Sequence, residues 1–211
     1  MKNKKKHFKR SSPKKPSSAK KEEKRKFWMS IGLIVIMVSS VFGVVFYGFS
    51  SGMPDRVEYG DYSFIPQGNV YLLNLDRQQV MVPYVPQELE HINLSDDIIG
   101  TLKASRQIIL TSNYSSPAQA DIANSQFFFK QTVDTLRPST FVDIAFTTEH
   151  EVVPLITCQN ASSYVSVIVF ELSETAEVTH DDGCIIISGQ GIGDFIPLTT
   201  RLLYGLLGIM Q

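Results

Sequence analysis

The sequence predicts an α/β fold: a single N-terminal transmembrane helix followed by one extracytoplasmic α/β domain with a mixed sheet. Three observations predict it. Phe27 to Phe49 is a run of 23 residues without a charge, and at 1.5 Å per residue it spans roughly 34 Å, enough for a hydrocarbon core of about 30 Å. Between Gln107 and Phe146 an apolar run, a helically spaced run and a second apolar run follow one another, the pattern of a βαβ unit. Charge divides sharply at the apolar stretch. Eleven Lys and two Arg against Glu22 and Glu23 give residues 1–26 a charge of +11; the chain totals −1, so residues 27–211 carry −12.

Residues 1–26 are a basic tail with two prolines and few apolar side chains, and they cannot bury enough surface to offset chain entropy. They are expected to be disordered and cytoplasmic, because basic residues beside a first span stay inside. Adhesion to anionic lipid is the expected use of that charge. His7 and Phe8 are its sole candidates for stacking on a base, so nucleic acid is not an expected partner. Residues 27–49 are the anchor, left uncleaved because Ser50-Ser51-Gly52 matches a small-residue cleavage site poorly. Trp28 and Tyr47 near its ends suit the two interfaces. Localisation follows: a single-pass protein of the cell membrane, its N-terminus cytoplasmic and its C-terminal domain outside.

Residues 50–62, with two glycines and a proline, read as a linker, and residues 63–211 as the outer domain. Asn69–Leu75 and Val80–Val85, separated by four polar residues, read as a hairpin, with Pro83 and Pro86 limiting the second strand. Ser95 starts a short helix running through Ala104, with Asp96 and Asp97 in its first turn. Gln107–Thr111 is a buried type of strand. Ser115-Ser116-Pro117 reads as a helix start for Ala118–Leu136, which Pro138 ends. Phe141–Phe146, Val153–Thr157, Val165–Phe170, Ala176–Thr179 and Cys184–Ser188 are further strands. Asp194–Met210 is a final helix, apolar on most sides. Arg201 in its middle argues against a second span, so it is expected to pack on the sheet.

Cys158 and Cys184 lie outside the membrane in this topology, and an oxidising compartment makes a disulfide between them the expectation. Three Asn-x-Ser sequons make Asn93, Asn113 and Asn160 candidate glycosylation acceptors. Glu149-His150-Glu151 and His180-Asp181-Asp182 are contiguous polar turns without metal-ligand spacing, so no metal is expected. No cofactor is expected either: Gly189-Gln190-Gly191-Ile192-Gly193 has no strand after its helix and so no dinucleotide-binding unit around it. Ser112, Asn113, Ser115 and Ser116 form a candidate ligand loop at a strand carboxyl end facing a helix start. No Gly-x-Ser-x-Gly elbow accompanies them. The chain therefore reads as a membrane-anchored binding or assembly module at the cell envelope, with an envelope protein as partner. The alternative is a tethered envelope hydrolase or transferase working at the strand carboxyl ends.

Overall fold

The computed structural model describes residues 26–39, 56–75, 77–181 and 183–211. The chain divides into two units, residues 1–53 and 54–211. In the first, residues 26–39 are helical (α1), and Phe27, Trp28, Met29 and the run Leu33 to Val38 all expose their side chains. Among the described residues no helix is long and apolar enough to cross a membrane. Residues 40–49 of the expected span, residues 1–25 of the tail and residues 50–55 of the expected linker lie outside the described residues.

The second unit is a mixed α/β fold with two sheets rather than one. Val57–Tyr59 (β1), Tyr62–Gln67 (β2), Val70–Leu75 (β3) and Gln78–Val82 (β4) form an antiparallel meander in sequence order. Its turns use backbone that favours glycine: Gly60 and Gly68 sit at φ 56° and 66°. β1 and the start of β2 fall where the sequence reads as linker, since Tyr-Gly-Asp-Tyr is as good a hairpin turn as a spacer. A short helix, Pro86–Leu89 (α2), follows the meander, and then Asp96–Ala104 (α3). Ser95 stands at the N-cap of α3 but makes no side-chain cap bond.

The second sheet has the order β6-β5-β7-β9-β8. Gln107–Ser112 (β5), Phe141–Phe146 (β6), Val165–Leu172 (β7) and Cys184–Gly189 (β9) run parallel, while Glu177–Asp181 (β8) lies antiparallel on β9. The expected βαβ unit is present, with Gln119–Leu136 (α4) as its crossover. That helix starts two residues beyond Pro117, because Ser116 to Ala118 is spent on a turn. The strand expected at Val153–Thr157 does not form. Leu155 makes one isolated bridge to Phe146, with Phe146 N–H on the Pro154 carbonyl and Ile156 N–H on the Phe146 carbonyl. Those bonds and the Lys130 ammonium on the Val142 carbonyl close much of the β6 edge.

The C-terminal helix, Phe195–Leu207 (α5), explains why its sequence is apolar nearly all round. Phe195, Leu198, Leu202, Leu203 and Leu206 join the core under the five-stranded sheet, with Ile108, Leu110, Ile168, Phe170, Ile185 and Ile187. Tyr204, with Ile209 and Met210 beyond the helix, joins the meander core around Phe64, Leu73 and Val82. Helix α4 shares this middle layer: Ile122, Phe129 and Val133 face one core, and Leu136 faces the other. Both helices are thus covered by a sheet on either side. Gly205 lets α3 approach, since a Cβ there would stand 3.1 Å from Ile99.

Arg201 is buried, and burial pushes its pKa down. Its Nε donates to the Ile92 carbonyl and an Nη to the Gln211 main-chain oxygen, both at 3.0 Å, while Nη1 has no partner. The guanidinium stays charged, because its ordinary pKa lies so far above neutrality. It pins the 91–93 turn and the last residues onto α5.

Candidate functional site at the carboxyl end of the parallel sheet

Because β5, β6, β7 and β9 are parallel, the connections leaving them all emerge at one end of the sheet. The chain leaves β5 through α4 to β6 on one side, then crosses back to β7 on the other. The gap between β5 and β7 is therefore the topological switch point, where open α/β sheets hold ligands. A cavity of about 450 Å³ occupies it, lined by Asn113, Ser115, Ser116, Pro117, Thr147 and Val169 to Leu172.

Three of the four residues of the candidate ligand loop line this cavity, and Ser112 does not. Ser112 is fully buried at the end of β5, its Oγ 3.4 Å from Gln119 Oε1 and its carbonyl accepting from Thr147 N–H. Its hydroxyl therefore points away from the cavity that the other three residues line. Asn113 Oδ1 accepts from Ser115 N–H at 2.9 Å, and Ser116 Oγ accepts from Ala118 N–H at 3.3 Å. These are local turn bonds. They leave Asn113 and Ser115 exposed beside the cavity.

Tyr114 in the same loop meets two further rings. Its centroid lies 5.7 Å from that of Phe146 and 5.5 Å from that of His150, and those two are 5.1 Å apart. Such spacings suit edge-to-face aromatic packing. His150 Nδ1 accepts from Val152 and Val153 N–H, each at 3.3 Å. The hydrogen of the neutral ring therefore belongs on Nε2. Next to this cluster, Glu149, His150, Glu151 and Leu155 line a second, shallow hollow. Sequence reasoning had placed Phe146 simply as a strand end and passed over Tyr114. The available signal was an aromatic residue among the polar loop positions Asn113, Ser115 and Ser116, directly after a buried strand.

Exposed apolar side chains recur around this end. Tyr114 is 44% exposed, Leu155 51%, Ile192 83% and Val152 85%. The strand ends they follow span three inter-strand steps, roughly 15 Å. The four segments that leave the parallel strands, residues 113–118, 147–164, 173–176 and 190–194, contain no Lys or Arg. They do contain Glu149, Glu151, Glu174 and Asp194, and Glu171 ends the exposed side of β7. Lys103, Arg106 and Arg137 lie instead on chain entering β5 and β6, at the opposite end.

Among the described residues, the groups singled out as able to support catalysis do not converge. Ser112 is buried, and Glu149 and His150 are exposed at the carboxyl end. His180 is exposed near the β8–β9 turn at the other end, where it pairs with Ile185. The two polar turns are thus held apart by the length of the sheet; Asp182 lies outside the described residues. Among the described residues no group of three His, Cys, Asp or Glu side chains could hold a metal ion. The glycine run after β9 is not an open anion cradle. Asp194 Oδ2 accepts from Gln190 and Gly191 N–H at 2.9 and 3.1 Å, and Asp121 Oδ2 accepts from Gly193 N–H at 2.8 Å. A further cavity of about 470 Å³, between His91, Asn93, Glu177 and the start of α5, includes Asp194 but no Tyr, Phe or Trp. With Asp194 already engaged, the β5–β7 crevice is the better candidate.

Cys158 and Cys184 are joined as a disulfide, their Cα atoms 5.2 Å apart. It fastens the β6–β7 connection to β9 on the face away from the helices, where Val167, Val169 and Ile156 pack around it. Asn93, Asn113 and Asn160 are all exposed, although Asn160 Oδ1 accepts from Thr157 N–H at 2.9 Å and so caps a turn. Compared with protein-family models, curated proteins and solved structures, the chain matches none.

Proposed function

We propose that this is a single-pass membrane protein whose outer domain is a binding or assembly module at the cell envelope. The observation that carries the binding role is the set of exposed apolar side chains on the loops at the carboxyl end of the parallel sheet, Tyr114, Val152, Leu155 and Ile192, on the same end as a crevice at which no acid, base and nucleophile converge among the described residues. The C-terminal helix, apolar nearly all round, supplies no such patch because it packs between the two sheets. Anchoring by residues 27–49 is supported by the absence of charge over the whole stretch and by the exposed apolar side chains of α1, which lack a polar face. An oxidising outer compartment agrees with the disulfide. The tail then faces the cytoplasm and adheres to anionic lipid, and the exposed sequon residues Asn93, Asn113 and Asn160 become acceptors in a host that glycosylates.

Cross-linking mass spectrometry on the full chain in native membranes tests this. A stoichiometric protein partner linked to residues 54–211 at both low and high salt is the expected result. Links confined to the lysine tail and lost at high salt would reduce the protein to an electrostatic adhesin. No protein partner at all would shift the function to a small ligand or a substrate.

A further inference from the structure

The geometry points to the class of partner: we infer that the carboxyl-end rim docks a basic segment of another protein, one that interleaves Lys or Arg with apolar side chains. This deepens the proposed binding function and rests on it. Two properties of the rim select the partner. Tyr114, Val152, Leu155 and Ile192 present apolar surface on separate loops, which a partner must match with side chains spaced along its length. Around them the charge is of one sign. Glu149, Glu151, Glu171 and Glu174 stand in or beside the loops, and no Lys or Arg occurs in any of the four segments leaving the strands. An acidic partner, a phosphate or a nucleic acid would meet uncompensated repulsion there, whereas a cationic chain gains attraction and loses little on desolvation at an exposed rim.

The amide groups at this end reinforce the choice. Those of residues 190, 191 and 193 are taken up by Asp194 and Asp121, and that of Ser115 by Asn113, so they do not face an incoming anion. What remains for a ligand is dominated by acceptors, the exposed carboxylates of Glu149, Glu151, Glu171 and Glu174, together with the Tyr114 ring. Ammonium and guanidinium groups suit that set through charge-assisted hydrogen bonds and contact with the Tyr114 ring.

The test uses the full chain in detergent micelles and a fluorescent synthetic peptide of alternating Lys and Leu, with a matched peptide of alternating Glu and Leu. Because the basic tail of the chain attracts acidic peptides by itself, the readout is the change caused by rim variants. Expected are binding of the basic peptide that weakens with salt, a loss of about tenfold or more in Tyr114→Ala and in Glu149→Lys/Glu151→Lys, and no change in Tyr164→Ala at the opposite end. Thermal melts of each variant establish that it is folded. No binding of the basic peptide, or equal affinity in all folded variants, overturns the inference. Should a native partner cross-link to the rim yet contain no basic segment, the binding module stands and the partner class falls.

Discussion

The Tyr204 hydroxyl donates to the Tyr84 carbonyl, tying α5 to the chain as it leaves the meander. The same ring packs edge-on against Phe64 with centroids 6.0 Å apart. One side chain thus joins the central helix, the antiparallel sheet and its exit. Tyr204→Phe keeps the ring and removes the bond, leaving the half-buried Tyr84 carbonyl without its phenol partner. A loss of about 1–2 kcal/mol is expected from thermal unfolding of the full chain, with the fold unchanged by circular dichroism.

The phenol also gives a pH dependence. Burial, and secondarily Glu88, push the Tyr204 pKa well above the ordinary phenolic value. A group whose folded pKa is raised contributes stability that is complete below its unfolded pKa, here about 10, and is lost as the pH climbs toward the folded value. The wild-type chain should therefore lose stability to alkali more steeply above pH 10 than Tyr204→Phe does. Urea unfolding at stepped pH measures the two slopes, and equal slopes would remove Tyr204 from the cause.

Gly189, at the end of β9, lies against the ring of Phe195 at the start of α5. A Cβ there would come within 2.8 Å of Cζ. Phe195 is fully buried and has no room to retreat. Gly189→Ala should cost about 1–3 kcal/mol by overpacking. Combining it with Phe195→Leu should cost less than the sum of the two single changes, which a double-mutant cycle on unfolding free energies checks.

The Cys158–Cys184 bridge closes a loop of sequence separation 26. In the chain-entropy model such a loop is worth about 3 kcal/mol. Reduction should lower the unfolding temperature by roughly 6–12 °C for a domain of this size. It should also expose the β6–β7 connection to proteolysis near residues 153–164. A melting temperature unmoved by reductant would show that the packing of Val167 and Val169 holds this segment unaided.

The fold was legible wherever a strand is buried on both faces or a helix keeps one stripe. Gln107 to Phe146 is a case: the alternation of run types leaves few topologies open, and both β5 and α4 form close to the expected bounds. The meander was harder. Its first hairpin is built from Tyr, Ser and Gly, with one face partly exposed, and two glycines with a proline nearby look the same in a linker. The strand expected at Val153–Thr157 failed for another reason. Of its apolar residues Ile156 packs at the Cys158–Cys184 bridge, while Leu155 stays exposed and makes only one isolated bridge, so no ladder forms.

The candidate site was half legible. Its position follows from the βαβ unit, and Asn113, Ser115 and Ser116, chosen on that basis, line the β5–β7 cavity. Ser112 instead turns inward; sequence gives the end of a strand without saying which way its last side chain points. The Tyr114–Phe146–His150 cluster joins the β5–α4 loop to the end of β6 and the connection after it, more than 30 residues on, and no periodicity records that meeting.

The most direct measurement is site-specific photo-cross-linking in native membranes. A photoreactive side chain would replace Tyr114 in one preparation and Tyr164, at the opposite end of the sheet, in another. A membrane-anchored module that binds through its carboxyl-end rim should capture a discrete partner from position 114 and not from position 164, and should resist carbonate extraction. Capture from position 164 alone, equal capture from both, or release of the protein by carbonate would contradict it.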